Sequence, residues 1–444
     1  MNKIKLYILA SVGVAMLCAC NDSFMDRYPE TAPTEATAFV SSSNFEAYAW
    51  GLYATFPKIG YGSENCTDDI SYNSARSTGE AAAIRGLWTV PTSQSGTAWN
   101  YYSFIRSVNL MLDNIDKSQM NDTEKNHWRS VGYFFRSYRY FTLLSTYGGV
   151  PWVDHVLSDS DVDILYGPRA SRDEIAKHIF DDLKFAEKNI NVNGNGANTI
   201  NKACVQALLS RFTLFEGTWR KYHGLQDSDT YLNECVRVSA ELCASYPNLA
   251  PRYDDLFCSL DLSKVAGIIL YREYRNDAGV VHDTSIQGTT AASYYNPTRD
   301  LVDSYLCCDG KTRWNSRLFQ GDKDMYAEFA CRDHRLWLHV TPPYLVDRSR
   351  STNAWDNKWD YTANPKDYSY MDSLRVRMDL GLGSSDEHRK TLPFRQGFVG
   401  GILGHVPHYD FFLDNQPWYK SAFGYNNWKY YVTYLDEGGA RNEE

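Results

Sequence analysis

The chain has 444 residues, a formal net charge of −9 and 22% charged residues. That length can bury a large core in one or two domains. An acidic chain without a basic stripe argues against nucleic acid as its partner. Aromatic residues make up 15% of the chain. We therefore expect a large aromatic core, with a minority of the rings exposed on loops.

The N-terminus has the pattern of a lipoprotein signal peptide. Two lysines precede an apolar run at residues 6–17, which is too short to span a bilayer. The run ends in a cysteine motif that predicts removal of residues 1–19 and lipid attachment at Cys20, with residues 20–38 as a lipidated tether. An ordinary secretory signal with an unmodified Cys20 is the alternative.

Helical periodicity dominates the next two hundred or so residues. Apolar residues at steps of three and four predict helices at residues 39–56, 98–117, 122–147, 171–190, 201–222 and 230–245. A long irregular stretch, residues 57–97, separates the first two. In the helix at 201–222, Trp219 is predicted to face inward.

The helix at residues 122–147 organises the region. Its predicted apolar stripe consists of Trp128, Val131, Phe135, Tyr138, Phe141 and Leu144. Asp122 or Thr123 is predicted to cap its start. Gly148 and Gly149 end it, and Pro151 prevents its continuation.

A tyrosine-rich helix that ends Tyr147-Gly148-Gly149-Val150-Pro151 closely resembles the central signature of the SusD/RagB family of surface nutrient-binding lipoproteins. Further family-like blocks follow in order, at residues 169–175, 179–183, 297–303, 309–311 and 332–336. The resemblance implies a mostly α-helical fold, in which a tetratricopeptide-like scaffold carries a loop-rich, mixed α/β second half.

Periodicity fades after Pro247, so we predict a SusD-type helical N-terminal region at residues 39–245 and a loop-rich SusD/RagB C-terminal region at residues 246–444. Short β-like runs lie at residues 265–271, 337–341 and 430–434. Members of the family continue into a last helix that this chain lacks. We therefore expect a shortened member.

Two loops and one tyrosine pair have the composition of a sugar site. Flat rings pack against the C–H face of a sugar, and planar polar groups bind its hydroxyls. The loops span residues 68–88 and 353–361. The predicted ligand-binding residues are Tyr72, Asn73, Arg76, Arg85, Trp88, Tyr294, Tyr295, Trp355, Asn357, Trp359 and Tyr361. Burial of each ring beneath its loop is the alternative.

No motif for catalysis or a cofactor is present, although two loop carboxylates for glycoside hydrolysis stay an open alternative. The acidic stretch at residues 159–163 imitates half a calcium loop, but Ile164 replaces the required glycine. His405 and His408 lack a third ligand. We expect no metal and no cofactor.

Export permits disulfides, and the pairing of the cysteines is left open. Cys204, Cys235 and Cys243 fall on predicted helices, where we expect them to act as small apolar side chains. Cys307 and Cys308 are adjacent, which is not a Cys-x-x-Cys redox motif.

The family resemblance implies a function at the outer membrane, on the face toward the cell exterior. We expect the protein to bind an oligosaccharide or polysaccharide without cleaving it, and to deliver it to a SusC-like TonB-dependent transporter. Peptide binding, as in the RagB branch, and surface glycoside hydrolysis are the alternatives.

Overall fold

The computed structural model describes residues 38–57, 70–72, 101–251, 253–257, 259, 261–275, 295–322, 325–340, 433–435 and 441–443. The chain divides into two compact units. The first comprises residues 1–55 and 95–242, and the second comprises residues 56–94 and 243–444. The domain boundaries expected from the sequence remain a prediction.

The first unit is helical. Its elements are α1 (Ser42–Leu52), α2 (Tyr101–Ile115), α3 (Asp122–Tyr147), the one-turn α4 (Val162–Leu165), α5 (Arg172–Asn189), α6 (Lys202–Tyr222) and most of α7 (Ser228–Ser245). α3 lies at the centre and contacts α1, α2, α5 and α6. The predicted, mostly helical fold is confirmed.

Both ends of α3 follow from its sequence. The cap is Asn121, one residue before the predicted start, and its side chain accepts from the Glu124 N–H at 3.0 Å. The Glu124 carboxylate in turn accepts from the Asn121 N–H at 3.0 Å, which completes a capping box. At the other end Gly148 has φ +70°, and its N–H donates to the Leu144 carbonyl.

The buried surface of α3 is wider than the predicted stripe. Four of the six predicted residues are buried, whereas Tyr138 and Phe141 are only half-buried. Phe134, Tyr140 and Leu143 are buried as well. A helix with neighbours on several sides buries more than one stripe, so periodicity alone underestimates its core.

The predictions for Trp219 and Cys243 are wrong. Trp219 is 37% exposed. Its ring stacks on those of His223 and Phe215, with centroids 4.0 and 6.1 Å away, and lies 4.4 Å from the Arg172 guanidinium carbon, so it packs at the surface of the helical unit. Cys243 is exposed near the end of α7.

The described elements of the second unit are short. They are β1 (Ile70–Tyr72), α8 (Tyr253–Phe257), β2 (Tyr295–Pro297), α9 (Arg299–Ser304), α10 (Met325–Phe329), α11 (His334–His339), β3 (Thr433–Leu435) and β4 (Arg441–Glu443). β1 pairs with β2 and β3 with β4, both antiparallel.

The three predicted β-like runs have different outcomes. The run at 265–271 is wrong, because a turn with Gly267 at φ +85° breaks it. The run at 337–341 is wrong for residues 337–339, which belong to α11. The Asp333 side chain caps that helix, because it accepts a hydrogen bond from the Arg335 N–H at 2.9 Å. The run at 430–434 is confirmed at residues 433–434, where β3 begins.

Candidate functional site

The described part of the predicted binding region is a short antiparallel ladder in the second unit. β1 and β2 pair Ile70 with Pro297, Ser71 with Asn296, and Tyr72 with Tyr295. Tyr72 belongs to the first predicted loop and Tyr295 to the predicted tyrosine pair. The backbone thus places two predicted ligand-binding positions opposite each other, although they lie far apart in the sequence.

The other predicted site residues fall outside the described residues. They are Asn73, Arg76, Arg85, Trp88, Tyr294, Trp355, Asn357, Trp359 and Tyr361, together with the lipidation site Cys20. Their roles remain predictions.

β2 runs directly into a capped helix. Thr298 is buried at the junction, and its hydroxyl oxygen accepts from the Leu301 N–H at 3.2 Å. This hydrogen bond satisfies one of the amides at the start of α9 that lack helical partners. The position of β2 is therefore fixed by the start of α9.

An ion cluster anchors α9 in turn. The Glu328 side chain is 0% exposed and lies 2.9 Å from Arg299 Nη1. Arg313 contacts Asp303 at 2.6 Å and Asp322 at 2.7 Å. A buried carboxylate is tolerated when it is paired. The cluster ties α9, the loop after it and α10 into one support for β2.

Arg332 closes the far end of α9. It is 2% exposed, and its guanidinium donates to the carbonyls of Val302 and, at 2.9 Å, of Tyr305. Burial lowers the pKa of Arg332 from its ordinary value. Carbonyls at a helix end lack helical partners, and this side chain supplies donors to that end.

The tyrosine-rich signature of α3 also has a structural role. The Val153 N–H donates to Tyr140 Oη at 2.7 Å, and Tyr102 Oη donates to the Pro151 carbonyl at 2.7 Å. Burial raises the pKa of both phenols, which keeps them neutral. The two tyrosines thus hold the extended segment that follows the double glycine.

An Arg–Asp pair and a close backbone approach complete the α3 signature. Arg136 donates to both carboxylate oxygens of Asp182, at 2.8 and 2.9 Å. A Cβ atom on Gly149 would lie 2.4 Å from the Ala170 carbonyl oxygen. These signature residues therefore build the scaffold, and the described contacts assign them no ligand.

The sequence matches a known protein family over most of the first unit. Residues 23–214 match the model of a SusD-like family described as starch-binding and associating with the outer membrane. Over these residues the chain is similar to the SusD-like family. The match covers α1 to α5 and the first part of α6, so it includes the double-glycine signature.

SusD-like proteins are also found among curated relatives. A SusD-like protein of Bacteroides ovatus is 21% identical over 351 residues, which cover 74% of this chain and 58% of the relative. SusD-like protein P38 of Formosa agariphila is 25% identical over 196 residues, which cover 43% of this chain and 37% of the relative. The chain thus spans under two thirds of either relative.

Solved structures share the SusD-like fold. A SusD-like protein of Bacteroides fragilis superposes with a TM-score of 0.57 at 18% identity, covering 90% of this chain and 74% of that one. A SusD-like carbohydrate-binding protein of the same species gives 0.56 at 17% identity, covering 88% and 71%. At these identities the likeness establishes the fold.

One exposed tryptophan ring lies outside the predicted loops. Trp314 is 71% exposed, and the Arg313 guanidinium carbon lies 4.2 Å from its ring centroid. The polar run that follows the turn at Gly310 (φ +73°) was the available signal for an exposed tryptophan. Trp314 offers a comparison for the predicted loop tryptophans.

The acidic stretch at residues 159–163 has a local structural role. The Asp161 carboxylate accepts from the Ser158 N–H at 2.7 Å and lies 3.3 Å from His155 Nε2. Across the described ranges, no group of three or more His, Cys, Asp or Glu residues is arranged to hold a metal ion. Among the same residues, no helix has the length and apolarity needed to cross a membrane.

Proposed function

We propose that this chain is a lipid-anchored protein of the outer membrane that binds an oligosaccharide or polysaccharide and does not cleave it. The observation that carries the proposal is the ladder, which sets Tyr72 opposite Tyr295. The family description, starch-binding, and the description of one Bacteroides fragilis neighbour as carbohydrate-binding support it.

The ladder brings together two of the segments predicted to bind the sugar. It joins the start of the loop at residues 68–88 to the predicted tyrosine pair. A sugar ring needs an aromatic face and hydrogen-bonding groups at its rim. We assign the aromatic faces to Trp88, Trp355 and Trp359, and the rim contacts to Arg76, Arg85, Asn73 and Asn357.

The first test concerns Trp88. A glycan array identifies a bound glycan, and calorimetry then compares the wild type with Trp88→Ala. We expect affinity to fall about tenfold or more, because truncating a central anchor often costs about 2 kcal/mol. The melting temperature should change little, because loop substitutions away from the core cost within about 0.5 kcal/mol.

Trp314→Ala is the matched control, because Trp314 is an exposed tryptophan outside the predicted loops. Unchanged affinity in this variant, beside a loss in Trp88→Ala, supports the assignment. A large fall in melting temperature for Trp88→Ala, with affinity intact, would identify Trp88 as a core residue.

A double-mutant cycle tests the ladder itself. Tyr72→Ala and Tyr295→Ala should each weaken glycan binding. Because their backbone positions are paired, the double variant should deviate from additivity by about 0.5 kcal/mol or more. Strict additivity would indicate that the two tyrosines do not share a ligand.

Two alternatives give different results in the same assays. Saturable binding to peptides, with no glycan bound, would favour a peptide-uptake role. Release of smaller sugars during prolonged incubation, detected by chromatography, would favour a glycoside hydrolase.

We further propose that Cys20 carries the lipid and that the partner is a SusC-like TonB-dependent transporter. Cys20→Ser should lose its membrane association when cell fractions are separated. Purification in mild detergent should recover the wild type together with the transporter. Recovery of the lipoprotein alone at every expression level would argue against the partner.

A further inference from the structure

Two cysteines of the second unit occupy opposing positions across a short antiparallel bridge. Cys307 and Arg332 form the bridge pair. The Cys308 N–H donates to the Cys331 carbonyl at 2.7 Å, and a second backbone hydrogen bond of 2.7 Å flanks the bridge on its other side. This pattern makes Cys308 and Cys331 the next opposing pair.

The two pairs differ in burial. Cys307 and Arg332 are 3% and 2% exposed. Cys308 is exposed and Cys331 is half-buried. Cys308 and Cys331 lie in the turns next to the bridge. Because neither side chain is fully buried, an oxidant can reach both.

The backbone spacing suits a covalent bond. Opposing residues of an antiparallel pair have Cα atoms about 4.5–5.5 Å apart, and one backbone hydrogen bond joins Cys308 to Cys331. Disulfides join Cα atoms about 4.4–6.8 Å apart. Cys331 also has φ +54°, a conformation that residues other than glycine adopt infrequently. A cross-link would help to hold it there.

We propose that Cys308 and Cys331 are a disulfide-forming pair, which a disulfide oxidant such as oxidised glutathione cross-links. One cysteine thiolate attacks the oxidant, forms a mixed disulfide and releases one reduced glutathione. The other thiolate then attacks the protein sulfur and displaces the second. Two cysteine thiols are oxidised, and one glutathione disulfide is reduced to two thiols.

The cross-link would close the segment that carries three members of the ion cluster: Arg313, Asp322 and Glu328. A disulfide restricts the unfolded chain, and the effect grows with loop length. The oxidised protein should therefore melt about 5 °C or more above the reduced protein. This inference does not depend on the proposed glycan function.

Peptide mapping of the full chain tests the proposal. The protein is reduced, then incubated with oxidised glutathione or with buffer, alkylated and digested with trypsin without reduction. We expect residues 300–311 and 324–332 to appear as one cross-linked species after oxidation. Reduction should separate it into two peptides that have together gained the mass of two hydrogens.

Cysteine variants assign the bond. Cys308→Ser and Cys331→Ser should each abolish the cross-linked species and leave glutathione on the remaining cysteine. Cys307→Ser should retain it, and so should Cys243→Ser, which removes another exposed cysteine. Separate glutathione adducts on residues 308 and 331 of the wild type, or a bond from either one to another cysteine, would overturn the proposal.

Discussion

The two units differ in the length of the helices that their buried ion pairs join. In the first, helices of up to 26 residues bury apolar surface, and Arg136 joins α3 to Asp182 on α5. In the second, α9, α10 and α11 have six, five and six residues. Helices this short are not stable alone in water. Ion pairs with Glu328 at their centre therefore join short elements that are not stable alone.

The largest expected effect is in the first unit. Arg136→Ala leaves the Asp182 carboxylate buried without its bidentate partner. We expect the free energy of unfolding to fall by about 3–5 kcal/mol. Burial already raises the pKa of Asp182, and loss of Arg136 raises it further, so the loss should lessen as pH falls from this raised pKa to the unfolded value, where Asp182 is protonated and carries no buried charge. Denaturant titration at two pH values measures both effects.

Lys177→Ala is the matched control for Arg136→Ala. Lys177 pairs with Asp181 on the same helix as Asp182, but both side chains are exposed. An exposed pair of this kind contributes under about 0.5 kcal/mol. Equal losses in the two variants would show that burial does not set the value of these pairs.

The next effect tests the second unit. Glu328→Ala removes the fully buried carboxylate beside Arg299 and Arg313. We expect a loss of about 3 kcal/mol, at the low end of the range because Arg313 keeps Asp303 and Asp322. Hydrogen exchange should rise in α9 and α10. Unchanged exchange there would mean that the cluster does not stabilise these helices.

The contrast between the units also explains what the sequence could predict. The helices at 122–147 and 201–222 were found because their periodicity is local and long. β1 and β2 have three residues each, and their pairing depends on contacts distant in the sequence. α11 was mistaken for a strand because six residues hold too few turns to show a period.

The candidate site was predictable in composition and not in geometry. Aromatic and planar polar residues identified two loops, but the opposition of Tyr72 and Tyr295 required the fold. Conversely, Trp314 was missed because it lies in neither loop. Exposure of a single ring depends on what packs over it, and periodicity carries no such information.

The stability of the first unit should depend on pH through one buried histidine. His127 on α3 is buried, and its Nδ1 accepts from the Asn191 N–H at 3.3 Å. Nε2 has no hydrogen-bond partner among the described atoms. Burial lowers the pKa of His127 from 6.5 to about 4. The folded state therefore favours the neutral form of the His127 ring over the protonated form.

The sign follows from proton linkage. Between about pH 4 and 6.5 the unfolded chain holds more protons at His127 than the folded chain does. Stability should therefore fall as pH is lowered through this window, by about 2–3 kcal/mol. His127→Gln should flatten the slope of stability against pH. An unchanged slope in that variant would assign the pH dependence to other groups.

The smallest effects compare one substitution at two glycines of the first unit. A methyl group on Gly149 would lie 2.4 Å from the Ala170 carbonyl oxygen, so the backbone must move. We expect Gly149→Ala to cost about 1–3 kcal/mol, as overpacking does. Gly51 lies near the end of α1 and is exposed, and a methyl group there would meet nothing within 4 Å.

Gly51→Ala should instead raise the free energy of unfolding by about 0.5–1 kcal/mol, because alanine restricts the unfolded chain and favours the helix. Denaturant titrations of the two variants should thus differ in sign. A gain in both would contradict the close approach of Gly149 to Ala170. A loss at Gly149 with a gain at Gly51 would show that the second glycine of the Gly148-Gly149 signature is required by its close contact with the Ala170 backbone. A general preference for glycine near a helix end would not explain that difference.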